Sequence, residues 1–131
     1  MIMNLIKSLE GIHTVSSDAA KAYKKAIERL VNHVNDNLEA NPKIIELIGG
    51  NPLDLMRNNH SNHATFMTTV FKIGSYELLA RTVPWVYRAY RARSFSYDYF
   101  PVELAAWKHA VMECLDAVSY THLTLPTNRE V

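Results

Sequence analysis

With 131 residues, 48% of them hydrophobic and 21% charged, the chain has the size and composition of one globular domain that buries its own core without staples. A single cysteine, Cys114, excludes an internal disulfide and a thiolate metal cluster, and a formal charge of +1 argues against whole-surface attraction to nucleic acid, membranes or acidic partners. Met1 to Ile12 is mildly apolar but is interrupted by Lys7 and Glu10, which fits neither a signal peptide nor a membrane span, so a cytosolic protein is expected.

Ser16, Ser17 and Asp18 offer N-cap chemistry for a helix from Ser17 to Ala40. In it Tyr23, Ile27, Leu30, Val34 and Leu38 recur at helical spacing, with Lys21, Lys24, Lys25, Glu28 and Arg29 opposite. Pro42 suits the first turn of a short helix carrying Ile44, Ile45, Leu47 and Ile48, ended by Gly49 and Gly50. Asn51 and Pro52 start another turn, and Asn58 or Asn59 is placed to cap a helix through Phe66, Met67, Val70 and Phe71 that stops at Gly74. Ser75 is expected to cap a fourth helix with Leu79, Val83, Val86 and Tyr90 on its apolar side and Glu77 paired to Arg81. Pro84 inside it predicts a kink or short break near Ala80 to Val83. A last helix follows Ser96, Asp98 and Pro101, with Leu104, Trp107, Val111, Cys114 and Leu115 as its stripe. Period-two alternation is absent, so the expected architecture is all-α, an antiparallel bundle of four to five helices.

His60 and His63 share a helix face with Met67, a spacing that can hold zinc or iron. A site needs three or four ligands, and the neighbouring acids in sequence, Asp54 and Glu77, fall outside the expected helix, so hydrogen-bonding histidines in a polar network are the plainer expectation. Arg81 to Arg93 holds four arginines and no acid. As a helix it sets Arg81, Trp85 and Arg88 on one side and Tyr87 and Arg91 on a neighbouring strip. Guanidinium groups beside aromatic rings clamp phosphate or carboxylate, stack on bases or anchor protein interfaces, whereas the ordinary alternative is a solvated face whose Trp85 and Tyr87 pack inward. Tyr97, Tyr99, Phe95 and Phe100 continue the aromatic density and, with Trp85 and Trp107, could line a pocket for a planar ligand or simply fill the core. Cys114 lies on the inferred apolar stripe, a poor setting for a nucleophile. No Ser-His-Asp set, phosphate-cradling loop or paired-carboxylate motif is present, so no catalytic residue is assigned and a non-enzyme is expected.

Two resemblances add to this. Val118 to Leu123, read Val-Ser-Tyr-Thr-His-Leu, and the residues that follow to Val131 resemble translated sequencing-adapter read-through. That implies a helical domain over residues 1–117, cut at its C-terminal end, and a non-native tail over 118–131. From Asn51 to Trp107, the runs Asn59-His60, Asn62-His63, Trp85-Val86-Tyr87-Arg88 and Tyr97-Asp98-Tyr99-Phe100-Pro101 resemble helical modules that precede cobalamin-binding domains in bacterial sensory and corrinoid proteins. This resemblance implies a regulatory or interaction role ahead of a further domain. The leading expectation is therefore a non-enzymatic helical module that binds a partner domain or small ligand through Arg81, Trp85, Tyr87, Arg88, Arg91, Tyr97 and Tyr99. The alternatives are a haem-, metal- or cobalamin-associated sensor bundle using His60 or His63, with no cofactor assigned, and a small helical enzyme. Nucleic-acid binding by the arginine helix is disfavoured by the charge of the whole chain. An apolar stripe left open along Trp107, Val111 and Leu115 is expected if a following domain packs there.

Overall fold

Helical periodicity becomes five helices in the computed structural model, which describes residues 15–74 and 76–115: α1 (Ser17–Glu39), α2 (Ile44–Leu47), α3 (Leu53–Ile73), α4 (Tyr76–Ala92) and α5 (Tyr99–Cys114). No strand occurs among the described residues, and the fold is all-α. The long helix α1 is the spine, packed against both α3 and α5, while α4 rests more lightly on α3 and meets α5 through aromatic rings.

The spine follows from its pattern. Tyr23, Leu30, Val34 and Leu38 are buried as their spacing predicts, joined by Ala19 and Ala26, whose small side chains let the neighbouring helices approach. Ile27 sits only at the margin of that core. The Ser16 side chain caps the helix by accepting from Ala19 N at 3.1 Å. Gly74 ends α3 in the left-handed conformation with its N–H on Val70 O at 2.8 Å, as its position suggests. Glu77 and Arg81 pair at 2.8 Å.

Elsewhere packing overrides local preference. The helix expected to start at Asn58 or Asn59 starts at Leu53, so those asparagines lie inside α3 and cap nothing. Met56, His60 and Ala64 bury one face at four-residue spacing, and that burial outweighs the weak helix preference of asparagine. Asp54 thereby joins the first turn of α3, where it bonds Arg57 at 2.8 Å, and Arg57 also pairs with Glu39 of α1. Pro42 stands outside α2, and the Asn41 side chain takes the Lys43 N–H at 2.9 Å instead.

Pro84 does not break α4, which runs unbroken from Tyr76 to Ala92. Its buried residues are Ala80, Pro84 and Tyr90, while Val83 is 44% exposed. Ala80 and Pro84 join the expected Tyr90 and Val86 on the side that faces the bundle, and of the expected stripe Val83 turns outward. The stripe on α5 holds except at Leu104: Val111 is in the core and Trp107, Cys114 and Leu115 pack against it. Tyr99, Ala106, Ala110 and Val111 are buried, and Leu104 is turned outward. The stripe expected to stay open along Trp107, Val111 and Leu115 is instead largely covered, because Val111 packs into the core with Trp107 and Leu115 against it. The cap expected at Ser75, the boundary at Ala117 and the tail Val118 to Val131 lie outside the described residues.

Two connections lock together at one end of the bundle. Ser96 N donates to Leu47 O at 2.9 Å, and Asn51 Nδ2 reaches both Ile48 O at 2.8 Å and Arg93 O at 2.7 Å. Between them Gly49, at φ +65°, lies directly against the Ser94 backbone.

Candidate functional site

Two groupings of chemistry-bearing side chains emerge: a polar chain inside the bundle and an aromatic and arginine surface on α4. The first is built around His60, the one polar residue among the fully buried side chains described. Its place on the apolar face of α3, between Met56 and Ala64, drives it inward against α1 and α5. Nδ1 lies 2.6 Å from Asn35 Oδ1 and Nε2 lies 2.8 Å from the Tyr99 hydroxyl. Burial lowers the His60 pKa and favours the neutral ring. An amide oxygen only accepts, so Nδ1 carries the proton to Asn35 and Nε2 accepts from the Tyr99 O–H.

Glu103 extends the chain. Trp107 Nε1 donates to its Oε2 at 3.1 Å, and His63 Nδ1 stands 3.9 Å away, an ion-pair distance rather than a hydrogen bond. The Glu103 side chain is only 13% exposed. Burial alone would push its carboxyl up, but the facing His63 and His60 rings and the Trp107 N–H together hold it below its ordinary value. On its other side the His63 ring lies against Tyr90, with Nε2 3.2 Å from the hydroxyl and the rings stacked. Burial, followed by the nearby Glu103 charge, keeps the Tyr90 and Tyr99 hydroxyls protonated far above their usual range. The outcome is a polar cluster in which Asn35, His60 and Tyr99 form one hydrogen-bonded set and His63 with Tyr90 another, with the Glu103 carboxylate facing both histidines, which ties α1, α3, α5 and α4 to one another.

This arrangement predicts acid sensitivity. A histidine whose folded pKa is depressed contributes stability that is complete above the unfolded value of 6.5 and is lost as pH falls toward the folded value, because only the unfolded chain then takes the proton. Glu103 acts in the same direction below its ordinary 4.5. Urea unfolding should therefore give a stability that falls below pH 6.5, by up to about 1.4 kcal/mol per pH unit from His60. His60→Gln should flatten that slope. A wild-type stability that rises on acidification would show that the ring is already charged in the fold.

As a metal centre the interior chain is poorly arranged. Both nitrogens of His60 are engaged, and among the described residues no group of three or more His, Cys, Asp or Glu side chains is placed to hold a metal ion. His60 and His63 lie in one cluster, but each ring is turned to its own tyrosine, Tyr99 and Tyr90, rather than converging on a point. A second imidazole pair, His33 with His109 at 5.1 Å between ring centres, bridges α1 and α5 and leaves His33 Nδ1 buried without a partner among the described residues. The surface groove lined by Asn37, Pro101, Val102, Ala105, Ala106 and His109 lies on that side and includes no member of the interior chain.

The second grouping divides the residues of the arginine helix. Tyr87 stacks on Phe100 at 4.2 Å and lies near Tyr97, whose ring carries the Arg91 guanidinium 3.8 Å above its centre. Arg91 also donates to Phe95 O, so it is held by the α4–α5 connection. Tyr99 belongs to the core and contributes to the interior chain instead of the surface. Trp85 does the opposite. It is 64% exposed, with Arg81 and Arg88 exposed on the same face, and its indole meets no other ring among the described residues. The inward packing open to Trp85 from its sequence context does not occur.

Glu103 escaped the sequence because it lies on another helix, forty residues beyond His63, with no motif linking the two. Its spacing of four from Trp107 was the available signal. No family model, no characterised protein and no solved structure matches this chain.

Proposed function

We propose that this chain is a non-enzymatic helical regulatory or interaction module that binds a partner protein domain through the exposed face of α4. The observation that carries this is Trp85: a large apolar ring held 64% exposed on a regular helix. Burying such a ring is worth more than burying almost any other side chain, and tryptophan flanked by arginine is the composition of interface hot spots. The interior polar chain supports the same role by fixing α4 to α3 and α5, so the face is presented on a rigid support. The likeness of Asn51 to Trp107 to modules that precede cobalamin-binding domains fits a regulatory setting.

The test uses a photo-crosslinking amino acid at exposed Ala92, with a control at exposed Lys25 on α1, in cells expressing the full chain. A discrete adduct at 92, absent at 25 and identified by mass spectrometry, should disappear with Trp85→Ala. That substitution should change stability by no more than about 0.5 kcal/mol, as surface changes do. Equal labelling at both positions, or an adduct indifferent to Trp85, would remove the docking role.

A further inference from the structure

The face around Trp85 has a regular spacing. Arg81, Trp85, Arg88 and Ala92 follow one another at intervals of four, three and four and are all exposed, which is the spacing of the contact seam between two packed helices. The two arginines are one heptad apart, about 10.5 Å along the axis, with the indole between them. The charge on this side is mainly positive: Glu77 lies one turn before Arg81 on the same strip, and from Leu78 to Tyr97 there are four arginines and no further acidic residue. Arg81 is partly neutralised by Glu77, and Arg91 is occupied by Tyr97 and Phe95 O. The ion pairs among the described residues leave Arg88 and Arg93 unmatched.

We infer that the partner docked on α4 is an acidic amphipathic helix, with two carboxylates one heptad apart facing Arg81 and Arg88 and a small apolar residue between them that receives Trp85. The inference rests on the docking role proposed above and specifies its partner. A helix fits because the exposed residues repeat at helical spacing along α4, so a second helix can lie along them. Acidic residues fit because Arg88 presents an exposed guanidinium fork with no partner among the described residues, and a carboxylate matches that fork with two parallel hydrogen bonds. Nucleic acid fits less well. Two free arginines beside a single exposed indole give few phosphate contacts, and the chain as a whole carries only +1.

The experiment measures fluorescence anisotropy of dye-labelled synthetic helices against the full chain. The probes are a 21-residue amphipathic peptide with glutamates one heptad apart around an alanine, its glutamine counterpart, its lysine counterpart and a 20-nucleotide single-stranded DNA. The glutamate peptide should bind, the glutamine peptide about tenfold more weakly, and Trp85→Ala should weaken the glutamate peptide about thirtyfold or more. Arg88→Glu should weaken the glutamate peptide about tenfold and improve the lysine peptide, a charge reversal that general stickiness does not reproduce. Circular dichroism and melting of each variant verify that the fold is intact. Equal binding of glutamate and glutamine peptides, tighter binding of the DNA, or no peptide binding at all would overturn the acidic-helix partner. The crosslink from position 92 is independent of these probes. If it captures a partner without an acidic helix, the docking role stands and this partner class falls; if it captures none, the docking role itself falls.

Discussion

Replacing Glu103 with leucine is expected to lower the free energy of unfolding by about 3 kcal/mol, a large share of what a domain of this size has to spare. Leucine fills much of the same space, so the loss comes from the groups left behind. The Trp107 N–H loses its acceptor, and the His63 ring loses the carboxylate it faces at 3.9 Å. A buried polar group left without a partner, here the Trp107 N–H, costs about 1–3 kcal/mol, and His63, which keeps Tyr90, adds the loss of its facing charge, so together they outweigh the apolar gain from leucine. Glu103→Gln keeps the shape and one acceptor for Trp107, and should cost about half as much. Tyr99→Phe removes the O–H that His60 Nε2 accepts at 2.8 Å and should cost about 1–2 kcal/mol. The Glu103 and Tyr99 changes should be non-additive, because the two side chains stand one turn apart on α5 and the Glu103 charge acts on the Tyr99 hydroxyl. Urea titrations of the three variants and of the Glu103→Leu, Tyr99→Phe double variant test this. A Glu103→Leu protein as stable as the parent would mean that the polar chain contributes nothing to holding the helices together.

The second large effect is expected at Gly49. A Cβ there would lie 2.1 Å from Ser94 O and 2.5 Å from Ser94 C, both backbone atoms, and the residue sits at φ +65°. Backbone cannot swing aside as a long side chain can, so Gly49→Ala must separate the turn after α2 from the connection between α4 and α5. That separation would disturb Ser96 N on Leu47 O and the two bonds from Asn51 Nδ2. Strain and displacement together should cost about 3 kcal/mol or more. Gly50→Ala supplies the contrast. It has φ +75° but nothing within 4 Å of the new methyl, so only the left-handed penalty of about 1–2 kcal/mol applies. Thermal melts of the two variants separate the terms, and equal losses at both positions would show that close approach to Ser94 is not what requires glycine at Gly49. Because this junction helps set the start of α5, Gly49→Ala should also loosen the Tyr87, Tyr97 and Phe100 cluster beside the docking face.

How much of this was legible depended on how local the cause is. The all-helical architecture, the buried stripe of α1, the Ser16 cap, the Gly74 stop and the Glu77–Arg81 pair each arise within a few residues, where hydrogen-bond geometry and helical spacing leave little choice. Where several faces of a helix were similarly apolar, spacing could not choose between them. On α4 the choice fell on Ala80 and Pro84 rather than Val83, since small residues allow closer approach than branched ones, and Leu104 of α5 was turned outward while alanines took the inner face. The start of α3 was missed for a related reason: burial of Met56 and His60 against the bundle repays a run of asparagines that, taken alone, suggests a cap.

The two groupings of side chains divide along the same line. Arg81, Trp85 and Arg88 share a face because they share a helix, and this was apparent before any tertiary contact was known. That Trp85 faces solvent, and that Tyr99 of the same aromatic run does not, depended on where α4 and α5 came to lie. Hydrogen-bonding roles for His60 and His63 were expected from the sequence and Glu103 stands four residues from Trp107, but the partners across helices are a product of the fold. Asn35, His60, Glu103 and Tyr90 stand on four different helices, and each polar group finds its partner only once α3 and α5 are brought against the α1 spine and α4 is laid beside them. Periodicity dictates which side chains turn inward along one helix. Only packing between helices decides which of them meet.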